Sequence, residues 1–202
     1  MKTPKLRELG EAIKALIVGP YTTKFPKKPP VIDPEYKGFP EFVDDECVRC
    51  GGCAEVCPTH TIERRDHPEK GIRVMYRDYG NCIQCGQCAL YCLTEKGIEM
   101  TNEFDKTTLD LSEIYEEVEN ELVFCECCGE PITTKKHLDF IIERLEEMAY
   151  CNPTLYLYRD YEAGLADRDS GKNHPGYWRE DQMRVLCPSC RRNVVFKEEW
   201  GG

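Results

Sequence analysis

An α+β fold is predicted, on three observations. The run CxxCxxCxxxC occurs twice, as Cys47, Cys50, Cys53, Cys57 and as Cys82, Cys85, Cys88, Cys92, each cysteine 35 positions after its counterpart. Apolar residues at helical spacing stand on both sides of that repeat. Two further CxxC pairs, Cys125 with Cys128 and Cys187 with Cys190, lie in the second half.

Three segments follow from these landmarks. Residues 1–40 read as an amphipathic helix and a proline-rich anchoring arm, 41–106 as a two-cluster metal domain, and 107–202 as a helical domain with its own metal site. The helix spans 4–18, with Thr3 as cap, Pro4 in the first turn and Leu6, Leu9, Ile13, Leu16 and Ile17 on one face; Gly19-Pro20 stops it. The stretch "YTTKFPKKPPVIDPEYKGFP" cannot build a core of its own, so the helix before it is expected to pack on a neighbouring subunit, with a membrane surface as the alternative. Between the cysteine runs, Ile72, Val74 and Tyr76 alternate as in a strand. A helix is expected over 108–122, from a capping box of Asp110 and Glu113 and the stripe Leu111, Ile114, Tyr115, Val118, Leu122. A second is expected over 134–149, with Leu138, Ile141, Ile142, Leu145 and Met148 on one face. Residues 151–182 read as a long irregular loop, and "VLCPSCRRNVVF" as a CxxC turn followed by a short strand.

The totals narrow the class. The chain has 202 residues and 14 cysteines, and cysteines this close in sequence suit thiolate ligation better than disulfides. "MKTPKLRELG" has no apolar signal region, and no apolar run approaches the ~20 residues that cross a bilayer. A soluble chain in a reducing compartment is the expectation. A net charge of −10 argues against nucleic acid as a partner, because phosphate binding wants a basic surface.

The repeated run has the spacing of bacterial ferredoxins, and the predicted fold is of the bacterial two-[4Fe–4S] type. Three cysteines at intervals of three wrap a loop around one cubane, with Gly51 or Gly86 letting the backbone bend. The fourth cysteine points away and ligates the other cluster. One cluster is then expected on Cys47, Cys50, Cys53 and Cys92, and the other on Cys82, Cys85, Cys88 and Cys57. Pro58 follows the first run but Leu93 the second, a change of turn-shaper and not of ligand. The bland alternative is two zinc sites.

Cys125, Cys128, Cys187 and Cys190 have the pattern of a zinc ribbon, with Gly129 making the turn and a long insertion between the pairs. A third iron–sulfur centre is the alternative. Cys127 reads as a spare thiol and Cys151 as a buried small hydrophobe. His60, His67, His137 and His174 have no ligand spacing, and Trp178 and Trp200 read as packing residues.

Residues 1–101 resemble the two-cluster ferredoxin-like subunit of respiratory complex I and of the related membrane-bound [NiFe] hydrogenases. The resemblance rests on the helix followed by "KFPKKPPVIDPEYKGFP", with Phe25 and Lys37 where the family usually has Tyr and Arg, and on the long link from Cys57 to Cys82. The C-terminal CxxC, helix and CPxC are similar to the iron–sulfur subunit of formate hydrogenlyase and related hydrogenases. The resemblance implies an electron-transfer subunit carrying two [4Fe–4S] clusters and one Zn²⁺, with no substrate-converting site of its own. It implies a peripheral place on the cytoplasmic side of the cell membrane. Its partners would be the hydrogenase small and large subunits and an electron-input iron–sulfur subunit. The alternatives are the same relay in another complex I-like oxidoreductase (quinone-, ferredoxin- or sulfur-linked), a free ferredoxin, or a purely structural zinc protein.

Overall fold

In the computed structural model, residues 5–19, 22, 24–168 and 178–197 are described. Thr3, Pro4, Pro20, His174 and Trp200 lie outside the described residues. The chain divides into two units, 1–36 and 37–202. In the first, α1 (Leu6–Val18) has Lys5 as its cap residue, ends at Gly19 in a left-handed conformation, and buries none of its residues.

The second unit mixes helix and sheet. β1 (Pro40–Phe42) pairs antiparallel with β4 (Ile98–Met100), closing the two ends of the cysteine repeat on each other. Between them lie two single-turn helices, α2 (Gly52–Glu55) and α3 (Gln87–Leu90), and a hairpin of β2 (Ile62–His67) and β3 (Ile72–Asp78). The core here is made of Phe42, Ile62, Met75, Ile98 and the cysteines Cys47, Cys53, Cys57 and Cys88.

The expected helix over 108–122 is instead a 3₁₀ turn, Leu111–Ile114, and a ten-residue strand, β5 (Tyr115–Phe124). Val118 and Leu122 are four apart, an even number, so they share a face in a strand as readily as in a helix. Glu116, Val118, Asn120 and Leu122 point inward while Tyr115, Glu117, Glu119 and Glu121 face solvent. Pairing with β3 over seven residues decides between the two periods. β5 also pairs with β6 (Pro131–Thr134), giving one sheet in the order β2-β3-β5-β6. Its edge strand β2 carries Glu63, Arg64, Arg65 and Asp66 in succession, which discourages further strand pairing.

Rows across this sheet are specific. On its inner face Ile62, Arg77 and Glu116 stand side by side, then Met75 with Val118, then Asp66, Arg73 and Asn120. The apolar residues of β3 that signalled a strand, Ile72, Val74 and Tyr76, lie on the half-buried outer face. The buried parity is Arg73, Met75 and Arg77.

The helix expected at 134–149 is α4 (Lys135–Leu145), capped by Thr134 and continued by a 3₁₀ stretch, Glu146–Cys151. Two more elements correct the sequence reading. Part of the expected loop 151–182 is α5 (Pro153–Glu162), with Asn152 capping and Pro153 in the first turn. A 3₁₀ turn, Arg179–Met183, follows the undescribed stretch. The expected terminal strand is α6 (Pro188–Lys197): its first turn holds Cys190, and Pro188 starts it where a missing N–H costs nothing. A second core joins Val123, Leu138, Leu155, Leu157, Tyr158 and Val185.

Candidate metal centres

The internal repeat is also a repeat of backbone conformation. Left-handed residues occur in pairs at the same offset: Arg49 and Gln84, Gly51 and Gly86, His60 and Glu95. Two of the three pairs use side-chain-bearing residues where glycine is the easy choice, so the loop shape is held by its surroundings. The last cysteine of each run meets a threonine two residues on: Cys57 Sγ lies 3.7 Å from Thr59 Oγ1, and Cys92 Sγ lies 3.5 Å from Thr94 Oγ1.

Two cavities sit under these loops. The cysteines lining one are Cys47, Cys50, Cys53 and Cys92, and those lining the other are Cys57, Cys82, Cys85 and Cys88. Each cavity thus takes three cysteines from one run and the fourth from the other. Met75 lines the first and Arg77 the second. Gly97 packs against two cysteines of the first: a Cβ there would stand 2.9 Å from Thr94 Oγ1, 3.1 Å from Cys47 Cα and 3.2 Å from Cys92 Sγ.

The thiols are not equivalent. Burial pushes Cys53 up to about 12, with Cys47 adding and Arg77 opposing. Burial also raises Cys47, Cys82 and Cys88. Cys57 feels burial too, but hydrogen bonds from Thr61 and Thr59 outweigh it and bring the thiol down to about 7. Buried thiols of this kind ionise only where a cation or cluster core repays the desolvation.

The second half of the chain grips the first loop. Thr134 Oγ1 donates to the Val48 carbonyl at 2.6 Å, and Lys136 Nζ to the Asp44 carbonyl at 3.0 Å. Arg73 pairs bidentately with Asp66 at 2.6 and 3.0 Å, and its third nitrogen donates to the Arg49 carbonyl and Thr133 Oγ1. Arg49 is itself buried, donating to the Cys47 and Asp44 carbonyls and to the Asp44 carboxylate. Sequence reasoning missed these arginines. For Arg73, and for Arg77 two turns of the pleat further on, the signal is present in "IRVMYRD", where Arg, Met and Arg occupy one parity of the strand.

Four cysteines of the C-terminal half also come together. The sulfurs of Cys125, Cys128, Cys187 and Cys190 all lie within 4.8 Å of one another, and Cys128 and Cys187 are 3.8 Å apart. Cys125 and Cys128 stand in the turn between β5 and β6, with Gly129 left-handed at its end. Cys187 and Cys190 stand at the start of α6, whose dipole favours thiolate. Burial acts to raise the Cys125 thiol, but N–H groups of Cys128, Cys187 and Cys127 overcome it and lower the thiol to about 7. Cys190 is pushed up by burial and by its cysteine neighbours. Cys127 is exposed and outside this foursome. Cys151, expected to be buried, is exposed, because the 3₁₀ stretch that ends on it turns Ala149 inward instead.

Residues 46–96 match the 4Fe-4S dicluster domain family. The chain carries a dicluster domain of that kind and is an iron–sulfur electron-transfer protein. It is homologous to "Formate hydrogenlyase subunit 6" of Escherichia coli (strain K12), 26% identical over 133 residues, which is 66% of this chain and 73% of that protein. A chain in the structure of the membrane-bound sulfane sulfur reductase, an archaeal respiratory membrane complex, is 25% identical with a TM-score of 0.37. That match covers 56% of this chain and 61% of the other. Among the described residues no helix is long and apolar enough to cross a membrane.

Proposed function

We propose that this chain is the electron-relay subunit of a membrane-bound hydrogenase complex of the formate-hydrogenlyase type. The observation that carries the reading is the pair of cysteine-lined cavities, each taking its fourth cysteine from the opposite run. On this reading Cys47, Cys50, Cys53 and Cys92 hold one [4Fe–4S] cluster, and Cys57, Cys82, Cys85 and Cys88 the other. When bound, such clusters supply two neighbouring one-electron carriers. The loops around Gly51 and Gly86 wrap them, and the inner face of the β2-β3-β5 sheet excludes water from one side.

The ferredoxin fold of residues 41–106 and the metal-bound character of 107–202 belong to the same proposal. Four thiolates on one metal, bonded at roughly 2.3 Å, stand roughly 3.8 Å apart, which the sulfur separations of the C-terminal foursome approach. A four-iron cube spreads its thiolates wider, so a single Zn²⁺ fits better than a third cubane. This centre ties the β5–β6 turn to α6 and makes the extension a rigid docking module.

Helix α1 leaves Leu6, Leu9, Ile13, Leu16 and Ile17 exposed, as suits a segment that packs on another subunit. The proposed partners are the hydrogenase small and large subunits and an electron-input iron–sulfur subunit, on the cytoplasmic side of the membrane. Substrate conversion belongs to them. Metal analysis of the anaerobically purified chain tests the centres: about eight irons and one zinc are expected, and zinc without iron would sink the reading. Pull-down from native membranes tests the assignment to a complex. A [NiFe] large subunit should co-purify, and should be lost on removal of residues 1–40.

A further inference from the structure

Met75 and Arg77 lie two residues apart on the buried face of β3, yet each lines a different cysteine cavity. Arg77 is fully buried and stacks on Phe42, its guanidinium carbon 3.8 Å from the ring centre. One of its nitrogens is satisfied: Nη1 donates to the Pro40 carbonyl at 2.6 Å and to Glu116 Oε2 at 2.9 Å. Nε and Nη2 have no hydrogen-bond partner.

Four residues earlier on the same strand, Arg73 provides the contrast. It is also buried, and all three of its nitrogens are partnered. An arginine that only cements the sheet looks like Arg73. Arg49 beside the first cavity leaves one nitrogen unpartnered, against two on Arg77. The positive charge of Arg77 favours the ionised forms of Cys82 and Cys88, and of Cys53 across the way. Glu116 is fixed in turn by the Tyr79 hydroxyl at 2.7 Å and the Phe42 N–H at 3.0 Å.

We propose that Arg77 is a positioning residue that sets the reduction potential of the cluster held by Cys57, Cys82, Cys85 and Cys88. Its unpartnered Nε–H and Nη2–H would be the donors available to that cluster when bound, and Glu116 anchors and partly offsets its charge. The inference rests on the ligand sets proposed above. Reduction adds one negative charge, so buried donors and a buried cation stabilise the reduced form and raise the potential. Arg77 lines the cavity and Glu116 does not, so the cation outweighs its counter-ion there.

The test is a redox titration of the full anaerobic chain, read by the hyperfine-shifted cysteine β-proton signals of each cluster and accompanied by an iron count. Arg77→Met should keep wild-type iron and lower the potential of the Cys57/Cys82/Cys85/Cys88 cluster. The reduced-to-oxidised ratio at a fixed potential should fall at least tenfold, about 59 mV for a one-electron couple, with a smaller change in the other cluster. Glu116→Gln should move the same cluster in the opposite direction. Arg77→Lys, which keeps charge but loses the fork, should fall between wild type and Arg77→Met. Unchanged potentials at full iron content, or shifts of one sign in both the Met and the Gln variants, overturn the proposal. If Arg77→Met loses iron, the signs in Glu116→Gln and Arg77→Lys decide it. A wild-type chain without eight irons refutes the ligand sets instead.

Discussion

The hydroxyl of Thr134 serves two backbones at once. It caps α4 by accepting from the His137 N–H at 3.3 Å, and it donates to the carbonyl of Val48 at 2.6 Å, inside the first cysteine loop. Thr134 is fully buried. Thr134→Val keeps the shape but leaves a cap N–H and a loop carbonyl without partners, which costs about 2 kcal/mol. Chemical denaturation of the metal-loaded protein should show that loss, and Thr134→Ser should recover most of it. No difference between the Val and Ser variants would remove Thr134 from the account of how loop and extension are joined.

Protonation of His137 is the expected source of a mild acid sensitivity. Thr133 Oγ1 accepts from Arg73 and shares a hydrogen bond with His137 Nδ1, 2.7 Å away. Burial, and then the nearby charge of Arg73, hold the imidazole below its usual 6.5. The folded protein therefore binds this proton less readily than the unfolded chain. Stability is full above the unfolded value, falls as pH drops through 6.5, and levels off below the depressed folded value. Denaturation midpoints between pH 7.5 and 5.5 should decline in the wild type and more shallowly in His137→Gln. Parallel slopes would sink the assignment.

Gly97 should be sensitive to the smallest substitution. The added carbon of Gly97→Ala meets Cys47 Cα and Cys92 Sγ, one of them backbone, so the first cavity must deform. The expected result is selective: about four irons lost of about eight, with the other cluster's signals retained. Retention of full iron would show that the loop yields more easily than its packing implies.

The C-terminal foursome should behave as a structural site. Cys128→Ser, at an exposed ligand position, is expected to remove the zinc and leave the iron count unchanged. Proteolysis should then begin in 125–197 while iron–sulfur absorbance persists. Cys127→Ser should do neither. Loss of iron in Cys128→Ser would mean that the site carries a cluster.

Much of the site was legible in the sequence because thiolate ligation leaves rigid spacings. The repeat at 35 residues and the two distant CxxC pairs mark the cysteines that line the two cavities and form the third group. The helices α1 and α4 were legible from their apolar stripes. β5 was not, since Val118 and Leu122 fit both periods and the intervening glutamates favour helix. In α6 the run Val194-Val195-Phe196 suggested a strand, although Pro188 already marked a helix start. Asn152-Pro153 was an equally good start signal hidden among tyrosines. The buried arginines were hidden for a different reason. Charged residues on one parity of a strand normally mean solvent, and only the partners Asp66 and Glu116, brought alongside by pairing, reverse that rule.

The sheet order has a consequence for biosynthesis. β2 and β3 are adjacent in sequence and can pair once both leave the ribosome, but the other edge of β3 has no partner until residues 115–124 follow. Until then an unpaired strand edge, with Arg73 and Arg77 lacking the cover of β5, lies open beside the cysteine loops. A nascent or prematurely terminated chain that ends before residue 115 is therefore an aggregation hazard even with all eight cysteines of the repeat in place.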